Sequence, residues 1–308
     1  MNNASRIGIS ELKVAADPSL IDGSLGPSIG SRVSRQKNLT LLQTTWRFAL
    51  RVLFRLLFRV HVEGDRTSLA AERLLVVANH ESILDGLLLG LFLPVNPLFV
   101  VHTDVLKSRI YRLILFFSDY LAVDQRNPLA IKKVIRLIGS GRPIVIFPEG
   151  RITVTGSLMK VYDGPAFVAA RTGATIVPVR LDGPARSYFS RLTGDYPRRL
   201  FPRILISIQP ATRITLPDGT NSKLRRRKAG EAMRRIMQDM LFHSQPRQTL
   251  VEALLETMAI HGPRREVVED VRQEPISYRN LLKLSLAIGR VLARESAPGE
   301  RVGVLLPN

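Results

Sequence analysis

The stretch LLVVANHESILDGLLLGLFL, residues 74–93, joins two apolar runs through a short polar loop. The run at 74–78 has the length and composition of a buried strand, and the run at 83–93 has those of a buried helix. Because ligands of α/β sheets bind beyond the carboxyl ends of the strands, the loop between the two runs is the first candidate for a functional site. It begins with Asn79, His80 and Glu81.

Strands and helices continue to alternate beyond this stretch. Further strands are predicted at PLFVVH, YLAVD, PIVIF, ATIVPVRLDG and RILISIQP. Further helices are predicted at 108–117, 128–141, 164–173 and 223–243. This order is typical of a layered α/β domain, in which helices flank a largely parallel or mixed sheet. We assign residues 63–244 to this domain.

The composition restricts the classes of function. The chain has 308 residues, a formal net charge of +19 and no cysteine, which excludes disulfides, cysteine-ligated zinc and a thiol nucleophile. The excess of arginine and lysine indicates an anionic partner, either nucleic acid or the phosphate surface of a membrane. No aromatic residue interrupts the basic run KLRRRKAGEAMRRIM as a base-stacking platform would. We therefore expect an anionic membrane surface as the partner, and no nucleic acid.

The first 40 residues differ in composition from the rest. They are rich in glycine and serine and poor in large apolar residues, so we predict a disordered extension at 1–40. They lack the continuous apolar segment of a secretory signal. The run GPSIG at 26–30 matches the serine-hydrolase motif G-x-S-x-G, but it lacks the preceding strand and following helix that this motif requires.

A basic amphipathic helix is predicted at 41–62. Its arginines recur at every fourth position, which places them in one stripe along a helix, while Trp, Phe and Leu residues cover much of the remaining surface. The stripe consists of Arg47, Arg51, Arg55 and Arg59. Such a pattern is typical of a helix that lies in a membrane interface. The alternative is a helix packed on its own domain with a solvated arginine face.

His80 and Asp85 form a candidate catalytic pair. Histidine is suited to general base catalysis, and a neighbouring carboxylate fixes which ring nitrogen carries the proton. Residues five apart on a helix point about 140° away from each other, so the pair meets only if His80 lies in the loop and Asp85 in the first helical turn. The alternative is that Ser82 and Asp85 form only a capping box. Because the chain has no cysteine and Ser82 is poorly placed as a nucleophile, we expect His80 to activate a hydroxyl or water of the substrate.

A second polar group follows the predicted strand PIVIF. Pro148 ends this strand, and Glu149, Gly150 and Arg151 come directly after it. Glycine allows the backbone to approach a ligand closely, and the planar guanidinium of arginine matches the geometry of a phosphate. A surface turn is the alternative for this group considered alone.

Three groups of residues resemble the ordered motifs of the glycerolipid acyltransferases, the family of lysophosphatidic acid acyltransferase. They are Asn79-His80-x4-Asp85, the FPEGR run at 147–151 and the IVPV run at 176–179. The resemblance implies that His80 removes the proton from a glycerol hydroxyl, which attacks an acyl thioester, and that Asp85 orients His80. It also implies that Glu149, Gly150 and Arg151 bind the phosphate-bearing acceptor, and that Pro178 lies at the wall of the site.

The chain departs from the usual family pattern at two motifs. The usual E-G-T-R-S reads E-G-R-I-T here, and the middle motif reads AVDQRNP, with Asp124 and Arg126 as further candidates. The run at 147–170 is similar to the acyltransferase half of bacterial bifunctional proteins that join 2-acylglycerophosphoethanolamine acyltransferase to an acyl-carrier-protein synthetase. Residues 277–308 resemble the opening of an adenylate-forming domain. We therefore interpret 245–308 as a linker and the truncated start of such a domain.

The resemblance implies an O-acyltransferase that acts on lysophospholipids. The expected donor is an acylated carrier protein or acyl-coenzyme A, and the expected acceptor is 2-acylglycerophosphoethanolamine, with lysophosphatidic acid as the alternative. We expect no cofactor and no metal ion. The expected location is the cytoplasmic face of the bacterial inner membrane, with peripheral or monotopic attachment. An inactive fragment, or a basic protein that only binds membranes or nucleic acid, is the alternative from another class.

Overall fold

The computed structural model describes residues 41–107, 118–124, 128–193, 197–215, 221–245, 248–270, 273–297, 299–301 and 303. The extension predicted at 1–40, the helix predicted at 108–117 and the candidate residue Arg126 lie outside these ranges.

Seven strands form one mixed sheet in the order β1-β7-β6-β2-β5-β3-β4. The strands are β1 (His61–Gly64), β2 (Leu74–Ala78), β3 (Leu98–His102), β4 (Asp119–Val123), β5 (Ile144–Ile146), β6 (Thr175–Asp182) and β7 (Leu205–Ile208). The five strands from β6 to β4 run parallel, whereas β7 is antiparallel to β6 and parallel to β1. The predicted α/β class, with a largely parallel or mixed sheet, is confirmed.

Helices cover both faces of this sheet. They are α1 (Leu41–Phe58), α2 (Asp85–Phe92), α3 (Pro128–Gly139), α4 (Asp163–Thr172) and α5 (Ser222–His243). α1 and α2 pack on one face, and α3, α4 and α5 pack on the other. Along β2 the side chains alternate, so that Leu74, Val76 and Ala78 join the first core cluster while Leu75 and Val77 join the second. Every residue of β2 is buried because both faces are covered.

The first two arginines of α1 contact the protein. Arg47 Nη2 donates to the carbonyl oxygen of Gly90 at 2.7 Å, and Arg51 Nε donates to that of Leu91 at 2.7 Å. These carbonyls belong to the last turn of α2, where backbone acceptors lack helical partners and cations are favoured. The prediction that the arginine stripe faces outward is therefore wrong for these two residues. The predicted helix 41–62 is also too long, because α1 ends at Phe58.

The outward surface of α1 is mostly apolar, although Arg55 is also exposed. Its inner side chains, among them Leu50, Phe54 and Leu57, pack against the core cluster. Five large apolar side chains remain exposed, namely Trp46, Phe48, Val52, Leu53 and Leu56. Across the described ranges, no helix has both the length and the apolarity needed to cross a membrane.

A smaller group of elements follows α5. It comprises α6 (Leu250–His261), the antiparallel hairpin of β8 (Glu266–Asp270) and β9 (Gln273–Ser277), and α7 (Tyr278–Glu295). Thr249 and Glu252 form a reciprocal capping box at the start of α6, and Ser277 caps α7. Because two helices and a hairpin occur in many folds, the relation of 245–308 to an adenylate-forming domain stays a prediction.

Gly183 provides a test of the packing at the end of β6. Its φ is +104°, and a Cβ atom there would lie 2.1 Å from the carbonyl oxygen of Arg203. We expect Gly183→Ala to lower the free energy of unfolding by about 2–4 kcal/mol, because both the backbone and its neighbour must shift. Urea unfolding followed by circular dichroism measures the change.

The matched control for Gly183 is Gly139→Ala at the end of α3. No heavy atom lies within 4 Å of the added Cβ at Gly139. We expect this change to be neutral or to stabilise by up to about 1 kcal/mol. Equal stabilities of the two variants would contradict the packing described for Gly183.

Candidate active site

His80 and Asp85 meet at the carboxyl end of β2. His80 lies in the loop, Asp85 begins α2, and His80 Nδ1 is 2.8 Å from Asp85 Oδ2. The side chain of Asp85 is fully buried, whereas that of His80 is 19% exposed. Because an ionised carboxylate can only accept a hydrogen bond, this contact places the ring proton on Nδ1. Nε2 is then the nitrogen that can accept a proton from a substrate.

Asp85 also organises the backbone of the loop. Its Oδ2 accepts hydrogen bonds from the amides of Glu81 at 2.6 Å and Ser82 at 2.9 Å. The Ser82 hydroxyl donates to Asp85 Oδ1 at 2.9 Å and accepts from the amide of Leu84 at 3.0 Å. Asp85 thus holds the backbone of the loop and contacts His80 at the same time. The predicted capping box is not formed as such, because α2 begins at Asp85 and the preceding residue, Leu84, makes no side-chain cap.

Glu149 connects this loop to the segment after β5. Its Oε1 accepts from the amide of His80 at 3.0 Å, and its Oε2 accepts from the amide of Met159 at 2.8 Å. Burial raises the pKa of Glu149, and these two hydrogen bonds oppose the rise. The described contacts of Glu149 are thus with the backbone of the chain itself. Its predicted contact with the acceptor stays a prediction.

Phe147 and Gly150 shape the entrance beside His80. The ring of Phe147 stacks on the imidazole with a centroid separation of 4.2 Å and an interplanar angle of 18°. Gly150 has φ +65°, in the left-handed region that favours glycine, and it lines the cavity described below. Arg151 follows directly and is exposed. The guanidinium of Arg151 is therefore accessible from solvent beside Gly150, and its contact with a phosphate stays a prediction.

A largely apolar cavity of about 410 Å³ opens at His80. It lies beyond the carboxyl ends of the parallel strands, between α2, α3 and α4, where ligands of α/β proteins usually bind. Asp124, a predicted candidate, is among its lining residues. Its apolar lining includes Ile83, Phe99, Val101, Ile131, Val134 and Val168. Its polar lining includes Lys160 and Arg226.

Pro178 lies within the sheet. It is the β6 residue paired with Val77 of β2, and its carbonyl oxygen accepts from the amide of Gln209 at 2.9 Å. Pro178 does not belong to the described lining of the cavity, so the structure gives no contact for its predicted position at the wall. Over the described part of the chain, no group of three His or acidic side chains could hold a metal ion.

Asn79 joins β2 to β6 through its side chain. The amide nitrogen Nδ2 donates to the carbonyl oxygen of Leu181 at 2.9 Å, and Oδ1 accepts from the amide of Leu181 at 2.8 Å. The side-chain amide of Asn79 thus makes two hydrogen bonds to the backbone of Leu181, as the backbone of one further β2 residue would. As a result the loop that carries His80 is hydrogen-bonded on both sides. Asn79 joins it to Leu181 of β6, and Glu149, which follows β5, accepts from the amide of His80.

A buried ion pair next to His80 was missed by the sequence reasoning. Glu81 Oε1 is 2.9 Å from Arg180 Nη1, and Glu81 is only 4% exposed. It also accepts from Asn79 Nδ2 at 2.9 Å and from the amide of Ala185 at 3.2 Å. Burial raises the pKa of Glu81 to about 7, against the opposing effect of Arg180. A charged residue inside the otherwise apolar strand ATIVPVRLDG was the available signal, because a buried charge needs a partner.

Residues 59–182, which contain the whole His80 loop, Glu149 and Arg180, match the family model described as Acyltransferase. The chain is 26% identical over 129 residues to a 1-acyl-sn-glycerol-3-phosphate acyltransferase of Cocos nucifera, covering 40% of this chain and 41% of that protein. It is 26% identical over 134 residues to the chloroplastic 1-acyl-sn-glycerol-3-phosphate acyltransferase LPAT1 of Arabidopsis thaliana, covering 42% and 37%. The chain is therefore similar to proteins of this name over about two fifths of its length.

A solved structure is also similar. The 1-acyl-sn-glycerophosphate (LPA) acyltransferase PlsC from Thermotoga maritima aligns with a TM-score of 0.45 and 18% identity, over 68% of this chain and 86% of that one. The chain spans less than half the length of the curated relatives it matches. The finer resemblance to the bifunctional 2-acylglycerophosphoethanolamine acyltransferases stays a prediction.

The buried carboxyl of Glu81 predicts a specific pH dependence of stability. Because its pKa rises from 4.5 to about 7 on folding, the folded state retains a proton that the unfolded state releases in this interval. The resulting stabilisation is complete below about pH 4.5 and is lost as the pH rises through about 7. We expect Glu81→Gln, which cannot titrate, to reduce the decline in unfolding free energy between about pH 5 and about pH 8.

Urea unfolding at several pH values measures this decline. Glu231→Gln on the exposed side of α5 is the matched control and should keep the wild-type dependence, because its side chain is 55% exposed. Identical pH dependences of wild type and Glu81→Gln would show that the Glu81 carboxyl does not titrate in this interval.

Proposed function

We propose that the chain transfers a fatty acyl group from an acyl thioester to the free hydroxyl of a lysophospholipid, with His80 as the general base. The observation that carries this proposal is the 2.8 Å contact between His80 Nδ1 and Asp85 Oδ2 beside an apolar cavity. A base with an orienting carboxylate suits direct attack by a substrate hydroxyl. The homology of 59–182 to acyltransferases supports the same reaction class.

The proposed steps start from a His80 ring that carries its proton on Nδ1, next to the carboxylate of Asp85. His80 Nε2 takes the hydroxyl proton while the hydroxyl oxygen attacks the thioester carbonyl carbon. The imidazolium that forms is stabilised by the Asp85 carboxylate, which keeps its own charge. When the tetrahedral intermediate collapses, the carbon–sulfur bond breaks and the leaving thiolate receives the proton from His80. The two substrates and His80 supply all the reacting groups, so the proposed reaction uses no cofactor.

The substrates are assigned to different parts of the site. The apolar lining of the cavity suits a fatty acyl chain, since its burial is favourable in proportion to the apolar area removed from water. Gly150 and the exposed Arg151 suit the phosphate of the acceptor. We propose 2-acylglycerophosphoethanolamine as the acceptor and acyl carrier protein or coenzyme A as the carrier of the donor. The relatives named for 1-acyl-sn-glycerol-3-phosphate support lysophosphatidic acid equally well.

Removal of the base tests the reaction. We expect His80→Ala to lower the transfer rate by about 10²–10⁴-fold while the protein stays folded. Asp85→Asn should also cause a severe loss, because the imidazole loses its orienting charge. The assay follows acyl transfer to a panel of lysophospholipids with both carrier-protein and coenzyme A thioesters. His243→Ala, at the exposed end of α5, is the control and should retain the wild-type rate.

The outcome separates catalysis from folding. A His80→Ala variant with wild-type turnover would exclude the proposed base. If Asp85 served only as a cap, Asp85→Asn would lose about 1 kcal/mol of stability and keep its activity.

We further propose a peripheral position at the cytoplasmic face of the bacterial inner membrane, attached through α1. The exposed side chains Trp46, Leu53 and Leu56 provide an apolar surface of the kind that enters the membrane interface. Because Arg47 and Arg51 contact α2, the attachment relies on apolar burial more than on the arginine stripe.

A double variant tests this attachment. We expect Leu53→Asp with Leu56→Asp to weaken binding to neutral vesicles, because apolar burial is lost whatever the lipid charge, and to weaken binding to anionic vesicles further, because two negative charges are added. Vesicle co-sedimentation at low and high salt measures the effect. Leu250→Asp, at a residue that is 90% exposed in α6, is the control and should bind normally. Release of the wild-type protein from neutral vesicles by salt alone would contradict attachment through the apolar side of α1.

A further inference from the structure

The segment between β6 and β7 supports the catalytic loop directly. This β6–β7 segment comprises the described residues 183–193 and 197–204, and within it the carbonyl oxygen of Phe189 accepts a hydrogen bond from the amide of Ile83 at 3.2 Å. The next residue, Ser190, forms an isolated antiparallel bridge with Ser82. Both contacts reach the loop between His80 and α2. The segment therefore lies against the loop that carries His80.

The outer surface of this segment is apolar. Tyr188 and Leu200 are each 59% exposed, and Phe189 and Phe201 are exposed as well. The bridge between Ser187 and Arg199 places two stretches of backbone side by side, one that continues to Tyr188 and Phe189 and one that continues to Leu200 and Phe201. Exposed apolar groups that cluster in this way usually mark a surface that contacts a protein or a membrane.

The segment also contacts the end of α1. The ring of Phe201 meets that of Phe58 edge to face, with a centroid separation of 5.3 Å. Phe58 is the last residue of α1 and is buried in the core. The segment thus contacts both the loop that carries His80 and the end of the proposed attachment helix.

The charge of the segment selects the kind of partner. Residues 183–203 contain five arginines and one acidic residue, Asp195. The arginines are Arg186, Arg191, Arg198, Arg199 and Arg203, and all five are exposed. Tyrosine and arginine each combine an apolar portion with a polar end, which suits them to the headgroup region of a bilayer. Near an anionic bilayer each arginine increases binding by about fivefold.

We propose that the β6–β7 segment is a second lipid-contact surface, whose apolar side chains enter an anionic leaflet and whose arginines bind lipid phosphates. The proposal rests on the function proposed above and extends it. A lysophospholipid acceptor then reaches the His80 cavity from the leaflet and need not pass through water. The binding energy of this surface depends on the charge of the membrane more than that of α1 does.

Variants that lack two of the arginine charges provide the first test. Arg186→Gln with Arg199→Gln removes two of the exposed cations, and we expect at least a tenfold loss of affinity for phosphatidylcholine vesicles that contain phosphatidylglycerol. Affinity for pure phosphatidylcholine vesicles should change less than twofold, because the lost attraction is electrostatic. The control is Arg234→Gln with Arg235→Gln on α5, which removes the same charge from another exposed position and should retain wild-type affinity.

Apolar variants provide the second test. Tyr188→Asp with Leu200→Asp should weaken binding to both kinds of vesicle and should reduce transfer to a vesicle-embedded acceptor relative to transfer to a monomeric short-chain acceptor. Phe242→Asp, at a residue that is 75% exposed on α5, is the matched control. Thermal unfolding shows whether the double variant remains folded, and if it does not, the arginine pair alone decides the proposal.

Three outcomes would overturn the proposal. The Arg186 and Arg199 variant could bind anionic vesicles as the wild type does. The control on α5 could lose affinity equally, which would indicate attraction by net charge alone. The segment variant could keep its vesicle affinity and lose binding to an acidic acyl carrier protein, which would make the segment a protein-docking surface. Because vesicle binding needs no turnover, these outcomes are independent of whether the proposed transfer reaction occurs.

Discussion

The structure of the site depends on one buried carboxylate. Asp85 is fully buried and accepts from the His80 ring, two amides and one hydroxyl. A carboxylate removed from water in this way is tolerated only when its oxygens are hydrogen-bonded. The loop therefore has to adopt the conformation that supplies these donors, and that conformation directs His80 to the cavity. The same carboxylate of Asp85 that constrains the backbone also holds the ring proton of His80 on Nδ1.

The sheet determines which loops meet. β2 pairs in parallel with both β5 and β6, so the segments that follow these strands emerge at one edge. This arrangement brings Glu149 to the amide of His80 and Arg180 to Glu81, although each pair is far apart in sequence. The proposed chemistry thus involves only His80 and Asp85. Their positions depend on contacts with residues of β2, β5 and β6 or of the segments that follow these strands. Acidic side chains near His80 mostly serve to hold backbone in place.

The sequence predicted the features that depend on local pattern. Alternating apolar runs led to the α/β class, and the spacing of His80 and Asp85 led to a loop-and-helix pair, which is how the two residues are arranged. Contacts between distant segments were not predictable in this way, since pairing of Glu81 with Arg180 requires the register of β2 against β6. The orientation of α1 was also ambiguous. Its arginines can serve a membrane or the carbonyls at the end of α2, and only the packed structure distinguishes the two.

Asn79 has a consequence for how accurately the imidazole is held. β2 ends at Ala78, but the side chain of Asn79 continues the hydrogen-bonded ladder to Leu181 for one further step. The main chain is thereby free to leave the sheet at this residue without losing its attachment to it. His80 follows immediately, so hydrogen bonds to the sheet hold the backbone on both sides of its imidazole. For the proposed base, such anchoring reduces the reorganisation needed as charge develops.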